Sequence, residues 1–147
     1  MPGYGRQYFG TWLAVISAAL IYFSVVFACA FLMGIFRVLV ANPALGKTTA
    51  VLIELPLVLA ISWISAGILI ARFGICQNLT QRLAMGGLAL IVTVAAELGF
   101  SVFVFGQSLS AYVETIWNPA GVLGLSGQAG FALIPAMRLA FERMRQS

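Results

Sequence analysis

The chain has 147 residues but no histidine and no aspartate, so its four acidic residues are all glutamates. Histidine is the commonest metal ligand and the side chain that titrates near neutral pH, so its absence removes most metal, haem and acid–base chemistry. Cys29 and Cys76 lack CxxC spacing, and their predicted depths differ too much for a disulfide, so both are predicted free thiols. The sequence therefore predicts no metal, no cofactor and no enzyme activity.

Charged residues are scarce, at 8% of the chain against roughly 25% in soluble globular proteins. Hydrophobic residues make up 62%, and the mean hydropathy is +1.04. A soluble fold of this size would expose large apolar patches to water. The net charge of +4 is not gathered in a basic run, and no nucleic-acid-binding motif is present. The predicted partner is therefore the lipid bilayer, and nucleic acid is not expected.

Four apolar runs are each long enough to cross a bilayer, for which a helix needs about 20 residues. They predict an all-α integral membrane protein with four transmembrane helices in an antiparallel up-down bundle with short loops. Residues 1–147 are predicted to form a single transmembrane domain. The predicted spans cover approximately residues 12–40, 50–71, 83–105 and 119–139.

The connection between the first two spans carries typical turn and cap residues. Asn42-Pro43 predicts a turn that ends the first span. Thr48 or Thr49 then follows in a position to cap the second span.

The later connections also carry cap residues. Asn78 is a predicted N-cap for the third span. Residues 106–117 are predicted to form a polar loop, and Asn118 followed by Pro119 is the usual start of a helix.

The distribution of basic residues predicts the orientation, because cytoplasmic loops of membrane proteins are enriched in Lys and Arg. Arg37 and Lys47 are the only basic residues on one predicted side. The other side carries six: Arg6, Arg72, Arg82, Arg138, Arg143 and Arg145. Both termini are therefore predicted to be cytoplasmic. The excess of Arg over Lys, with much Ala, Leu and Gly, is typical of a GC-rich bacterium, and the expected location of the chain is a bacterial inner membrane.

The last span combines small residues with a proline. Small residues let membrane helices approach closely, so the glycines predict a packing face against spans one and three, or a docking face for another protein. Pro135 removes a backbone donor and leaves the carbonyl of Phe131 without its helical partner. The glycines of this predicted face are Gly121, Gly124, Gly127 and Gly130.

Four polar residues, one on each predicted span, lie within the apolar runs. These residues are Arg37, Glu54, Glu97 and Gln128. The first two lie about 6 Å and the others about 12 Å inside the non-cytoplasmic ends, from the helical rise. Arg37 is predicted to hold Glu54 through a forked two-point bond. Glu97 is predicted to be neutral, bonded to Gln128 or Ser101, or hydrated by a cavity, because an unpaired carboxylate in hydrocarbon is costly.

The loops are too short for a soluble domain, so helix surfaces are the main area for interactions. The leading functional prediction is a non-catalytic accessory or structural subunit of a larger membrane complex, with other membrane subunits or copies of itself as partners. The alternative is a small oligomeric transporter or channel that uses intramembrane Glu54 and Glu97.

Overall fold

The computed structural model describes residues 4–75 and 77–146, so the predicted free thiol of Cys76 lies outside the described residues. Within these two ranges the chain is helical and has no β-strand. Its α-helices are α1 (Tyr4–Phe36), α2 (Asn42–Leu45), α3 (Lys47–Phe73), α4 (Leu79–Gly99), α5 (Leu109–Ile116) and α6 (Pro119–Met144). Two π-helical segments, Arg37–Ala41 and Phe100–Val104, extend α1 and α4.

Four long apolar helical segments confirm the predicted all-helical fold. Each is long and apolar enough to cross a membrane, and the shortest have 26 residues. At 1.5 Å per residue, 26 residues extend about 39 Å, which exceeds a hydrocarbon core of about 30 Å. The four segments are Thr11–Leu45, Lys47–Phe73, Leu79–Val104 and Pro119–Met144.

The predicted turn at Asn42-Pro43 was wrong, because the first helical segment continues through it to Leu45. In the π-helical segment the Asn42 N–H bonds to the carbonyl of Arg37, five residues earlier. The wider turn accommodates the Pro43 ring, which clashes with the preceding turn inside an α-helix.

The break between the first two long segments lies at Gly46, which has a φ of 81°. Glycine adopts this conformation without the steric cost that other residues meet there. Gly46 is also the N-cap residue of α3, so the predicted capping by Thr48 or Thr49 was wrong.

The predicted caps of α4 and α6 are confirmed. Asn78 Oδ1 accepts a 2.9 Å hydrogen bond from the Thr80 N–H, and Asn118 Oδ1 accepts one of 2.8 Å from the Gly121 N–H. The prediction of a loop throughout residues 106–117 was wrong, because Ser108 caps the short helix α5 there.

The four long helices pack so that α1 contacts α3 and α4, and α6 contacts the same two helices. Consecutive helices α3 and α4 therefore lie on one diagonal, and α1 and α6 lie on the other. The fourth span, α6, was predicted to pack against the first and third spans. Its main neighbours are the third span, α4, and the second span, α3, and it meets the first span at Tyr22 and Phe131. Short side chains on α4 permit the close approach of α6, because a Cβ on Gly86 would overlap the carbonyl oxygen of Ala132.

A buried core joins the helices in the half that contains the N-terminal part of α4 and the C-terminal part of α6. Tyr22 crosses the α1–α6 diagonal, and its ring stacks on Phe131 with 4.5 Å between the ring centroids. Small buried residues, Ala18, Ala66 and Ala89, surround this pair. The core thus closes one half of the helix bundle.

Candidate functional site

The other half of the bundle contains an open cavity of about 910 Å³. Its walls come from α1, α3, α4, α5 and α6, and both π-helical segments contribute residues. All four polar residues predicted from the sequence line it: Arg37, Glu54, Glu97 and Gln128. A shared cavity is therefore the feature that brings these side chains together.

Glu97 on α4 is held in the cavity by uncharged neighbours. Gln128 Nε2 donates a 2.6 Å hydrogen bond to Glu97 Oε2. Tyr112 of α5 lies near the same carboxylate, and burial together with the negative charge of Glu97 raises the pKa of the Tyr112 phenol. Among the described residues, the glutamates that form ion pairs are Glu54 and Glu142. Glu97 is thus a partly buried carboxyl group without a basic partner among the described residues.

Ser101 was the other predicted neighbour of Glu97, but its hydroxyl is engaged elsewhere. Its Oγ donates a 2.8 Å hydrogen bond to Gln107 Oε1. Thr93, one turn before Glu97, donates to the Ala89 carbonyl at 2.9 Å. The hydroxyl groups on this face of α4 therefore serve the local backbone and the loop.

Arg37 and Glu54 form the predicted ion pair, with 2.6 Å between Arg37 Nε and Glu54 Oε2. The predicted forked two-point bond was wrong, because only Nε makes this contact and its N–H does not point along a hydrogen bond. The terminal Nη2 lies back along α1, beside Gly34. The side chains remain 30% and 16% exposed, so protein covers this pair only in part.

An aromatic wall, which we define as Phe27, Phe31, Phe100 and Phe105, lines the same cavity. The ring centroids of Phe27 and Phe100 are 6.0 Å apart, and those of Phe31 and Phe100 are 5.6 Å apart. These residues appear in the sequence only as members of apolar runs. Their approach depends on how α1 rotates toward the π-helical segment of α4.

Phe131 lines the inner end of the cavity, and Tyr22 of the buried core stacks on it. The Tyr22 hydroxyl donates a 2.9 Å hydrogen bond to the carbonyl oxygen of Phe131. This is the carbonyl that Pro135 leaves without a helical donor, so a side chain from α1 replaces the missing backbone hydrogen bond. The partner Tyr22 was not found from the sequence, although it is a hydroxyl-bearing aromatic residue inside an apolar run.

The four glycines of the predicted packing face have different surroundings. A Cβ on Gly127 or Gly130 would meet Leu55 or Leu59 of α3, and one on Gly121 would overlap the backbone of α5. Gly124 differs, because no atom lies within 4 Å of its Cβ position. Gly124 therefore makes none of the close contacts that the other three glycines make. A spacing of three residues drifts around a helix with 3.6 residues per turn.

The end of the bundle opposite the cavity holds basic residues that the sequence analysis assigned only to orientation. Arg82 Nη2 pairs with Glu142 Oε2 at 3.0 Å, and the Arg82 side chain is 1% exposed. Arg138 donates a 2.9 Å hydrogen bond to the Trp63 carbonyl, and its guanidinium carbon lies 5.0 Å from the Trp63 ring centroid. The available sequence signal was the placement of Arg82 and Glu142 at the same predicted end.

Comparisons with protein-family models, with curated proteins and with solved structures found no match for this chain. The functional argument therefore depends on the cavity and its side chains.

Proposed function

We propose that this chain is an integral membrane protein of a bacterial inner membrane, with its four long helices inserted as an antiparallel bundle. Large apolar side chains on the outer faces support insertion, since Leu32 and Ile91 are each 66% exposed. The six-to-two bias of basic residues supports cytoplasmic termini. In this orientation the cavity lies in the non-cytoplasmic half of the membrane, and the Arg82–Glu142 pair lies at the cytoplasmic end.

Within that frame, the function that the geometry supports best is transport of a positively charged solute, with Glu97 as its anionic binding group. The observation that carries this proposal is the position of Glu97 in a cavity of about 910 Å³, contacted by uncharged Gln128. Pockets for small molecules usually occupy about 300–1,000 Å³ and combine apolar walls with a few polar groups. This supports the alternative sequence prediction of a small oligomeric transporter over the leading one.

Electrostatics gives the sign of the solute. A carboxylate in a low-dielectric environment is stabilised by a proton or by a nearby cation. Arg37 is already engaged by Glu54, so its charge is largely balanced within the cavity wall. A bound cation and a proton can therefore compete for Glu97, which is how one carboxyl group couples the movement of the two.

The packed residues beyond the inner end of the cavity support a transport cycle with access from one side at a time. Tyr22 and Phe131 separate the cavity from the core, and Arg82 joins α4 to the C-terminal turns of α6 beyond them. In the proposed cycle the cavity loads from the non-cytoplasmic side, and rearrangement of these contacts opens the cytoplasmic side.

Binding and uptake of tetramethylammonium test the proposal with the full chain. Purified protein should bind the cation, and proteoliposomes should accumulate it when a proton gradient is imposed. Glu97→Gln should abolish both signals, because it removes the negative charge but keeps the side-chain size. Glu114→Gln is the matched control, since Glu114 is exposed on α5 and does not line the cavity. Absence of binding by the unmodified protein, or equal binding by the Glu97→Gln variant, would refute this function.

A second candidate is the accessory subunit of a larger membrane complex. It is supported by two short connections, which are Gly46 between α2 and α3 and residues 74–78 between α3 and α4. Nearly all surface available to a protein partner therefore belongs to the long helices. Purification from the native membrane in mild detergent distinguishes the candidates: a partner present at fixed stoichiometry favours the subunit, and migration alone or as a homo-oligomer favours the transporter.

A further inference from the structure

A second, apolar recess lies on the outside of the bundle between the first and second long helical segments. This outer groove has a volume of about 470 Å³ and is lined by Leu32, Met33, Phe36, Leu45, Ile53 and Leu57. Several of these side chains face outward, with Leu32 66% and Phe36 62% exposed. In the proposed membrane orientation the groove therefore faces lipid chains.

Arg37 and Glu54 line both the outer groove and the internal cavity. They are the polar side chains that the two spaces share, so their ion pair stands between the groove and the cavity. The lining of the groove is otherwise apolar, whereas the cavity contains Glu97 and Gln128. The path from one to the other thus runs from an apolar surface to an anionic site, past a single ion pair.

The geometry of this ion pair suits a contact that opens. It is a one-point contact through Arg37 Nε, without the second hydrogen bond that strengthens forked Arg–carboxylate pairs. Arg37 also begins the π-helical segment Arg37–Ala41. Such segments are rare in helices and are often found at functional sites.

We propose that the substrates of the cavity are single-chain amphiphiles with an ammonium head group, which enter sideways from the bilayer between α1 and α3 when Arg37 and Glu54 separate. This inference rests on the proposed transport function and names its substrate class. The apolar tail occupies the outer groove first, while the head group passes the ion pair toward Glu97.

The internal cavity has features that fit both parts of such a molecule. Glu97 supplies the charge that attracts an ammonium group, and the aromatic wall offers ring faces, which attract cations lacking hydrogen-bond donors. The same rings pack against methylene groups of a tail. The bilayer is the source of the ligand because the groove opens on the surface that the proposed orientation gives to lipid.

A cross-link across the ion pair provides the first test. Arg37→Cys and Glu54→Cys are introduced together with Cys29→Ser and Cys76→Ser, and the full chain is placed in nanodiscs of phosphatidylethanolamine and phosphatidylglycerol. A bifunctional methanethiosulfonate joins the two new thiols, and a reductant releases them. The probes are dodecyltrimethylammonium, which has the tail, and tetramethylammonium, which is the head group alone. Protein-free nanodiscs give the background.

We expect the cross-link to slow association of dodecyltrimethylammonium by about tenfold or more, equivalent to raising the entry barrier by at least ~1.4 kcal/mol. Tetramethylammonium should bind at an unchanged rate through the aqueous mouth, and reduction should restore the rate for the amphiphile. Equal slowing of both probes, or slowing of neither, would overturn lateral entry while leaving the transport proposal intact. If neither probe binds before cross-linking, the proposed function itself fails.

A groove-filling substitution tests the same path without cysteines. Ile53→Trp places a large ring in the outer groove and should weaken dodecyltrimethylammonium binding but not tetramethylammonium binding. Ile64→Trp is the matched control, because Ile64 is an exposed residue of α3 outside the groove and the cavity. Equal effects of the two substitutions on the amphiphile would contradict a specific role for the groove.

Discussion

The two ends of the helix bundle each contain an ion pair, and the surroundings of the two pairs differ. At the cavity end, Arg37 and Glu54 keep 30% and 16% of their side chains exposed. At the opposite end, Arg82 is 1% exposed and Glu142 is 32% exposed. A partly exposed one-point pair contributes little to stability, whereas breaking a pair that contains a buried charge is expensive. The comparison indicates that the Arg37–Glu54 contact at the cavity end can open, whereas the Arg82–Glu142 contact holds the opposite end of the bundle together.

The largest effect on stability is expected from Glu142→Gln, at the end of the bundle opposite the cavity. This change replaces the carboxylate that buried Arg82 contacts with an uncharged amide and should lower the free energy of unfolding by about 3 kcal/mol. Reversible unfolding in mixed detergent micelles measures the loss. Glu54→Gln is the matched control at the cavity end and should cost much less. Equal losses would remove the proposed difference between the two ends.

Gly86→Ala examines the close approach of α4 and α6. The new Cβ would overlap the backbone oxygen of Ala132, so the helices must separate. We expect a loss of about 2 kcal/mol in the free energy of unfolding, as for other overpacked cores. Gly87→Ala is the control, because no atom lies within 4 Å of that Cβ position. A neutral Gly86→Ala variant would show that this contact is looser than described.

Tyr22→Phe removes the donor that satisfies the Phe131 carbonyl at the boundary between the core and the cavity. The ring stack remains, so the expected loss is about 1.5 kcal/mol for an unsatisfied buried acceptor. Thermal unfolding in detergent reports this change. Adding Pro135→Ala should reduce the effect, since it restores a backbone N–H to the helix. Purely additive effects of the two substitutions would separate Tyr22 from the proline.

The smallest effect is expected for the Arg37–Glu54 pair, measured with a double-mutant cycle of Arg37→Met and Glu54→Gln. A one-point, partly exposed contact should give a coupling energy of about 1 kcal/mol. The double variant should be more stable than the sum of the single losses predicts. A coupling energy as large as the loss from Glu142→Gln would mean that the Arg37–Glu54 contact stabilises the cavity end as strongly as the Arg82–Glu142 contact stabilises the opposite end.

Depth along a helix could be predicted from the sequence, because each residue adds the same rise. The helical rise alone predicts that Arg37 and Glu54 lie at one depth and that Glu97 and Gln128 lie together at a greater depth. The four apolar helices and the Asn caps also follow from local chemistry. The rotation of each helix about its axis and the helices that it contacts could not be predicted from the sequence.

Rotation and neighbour choice depend on contacts between distant segments, which explains the failed predictions. The Arg82–Glu142 pair and the aromatic wall join residues from different helices, and no local pattern marks either. The continuation through Pro43 depended on a π-helical segment that sequence spacing does not signal. Gly124 has the same spacing as the neighbouring glycines, but only its Cβ position has no atom within 4 Å, which depends on helix packing and not on spacing.

The diagonal placement of α3 and α4 has a consequence for how the chain assembles during synthesis. These helices are adjacent in sequence, so they emerge from the ribosome one after the other, yet the helices they both contact are α1 and α6. With α6 still unmade, only α1 is present to hold them together. The last of the four long helices thus completes the structure, and until it arrives the faces of α3 and α4 that later contact α6 are uncovered, so a chaperone or a protease can act on them.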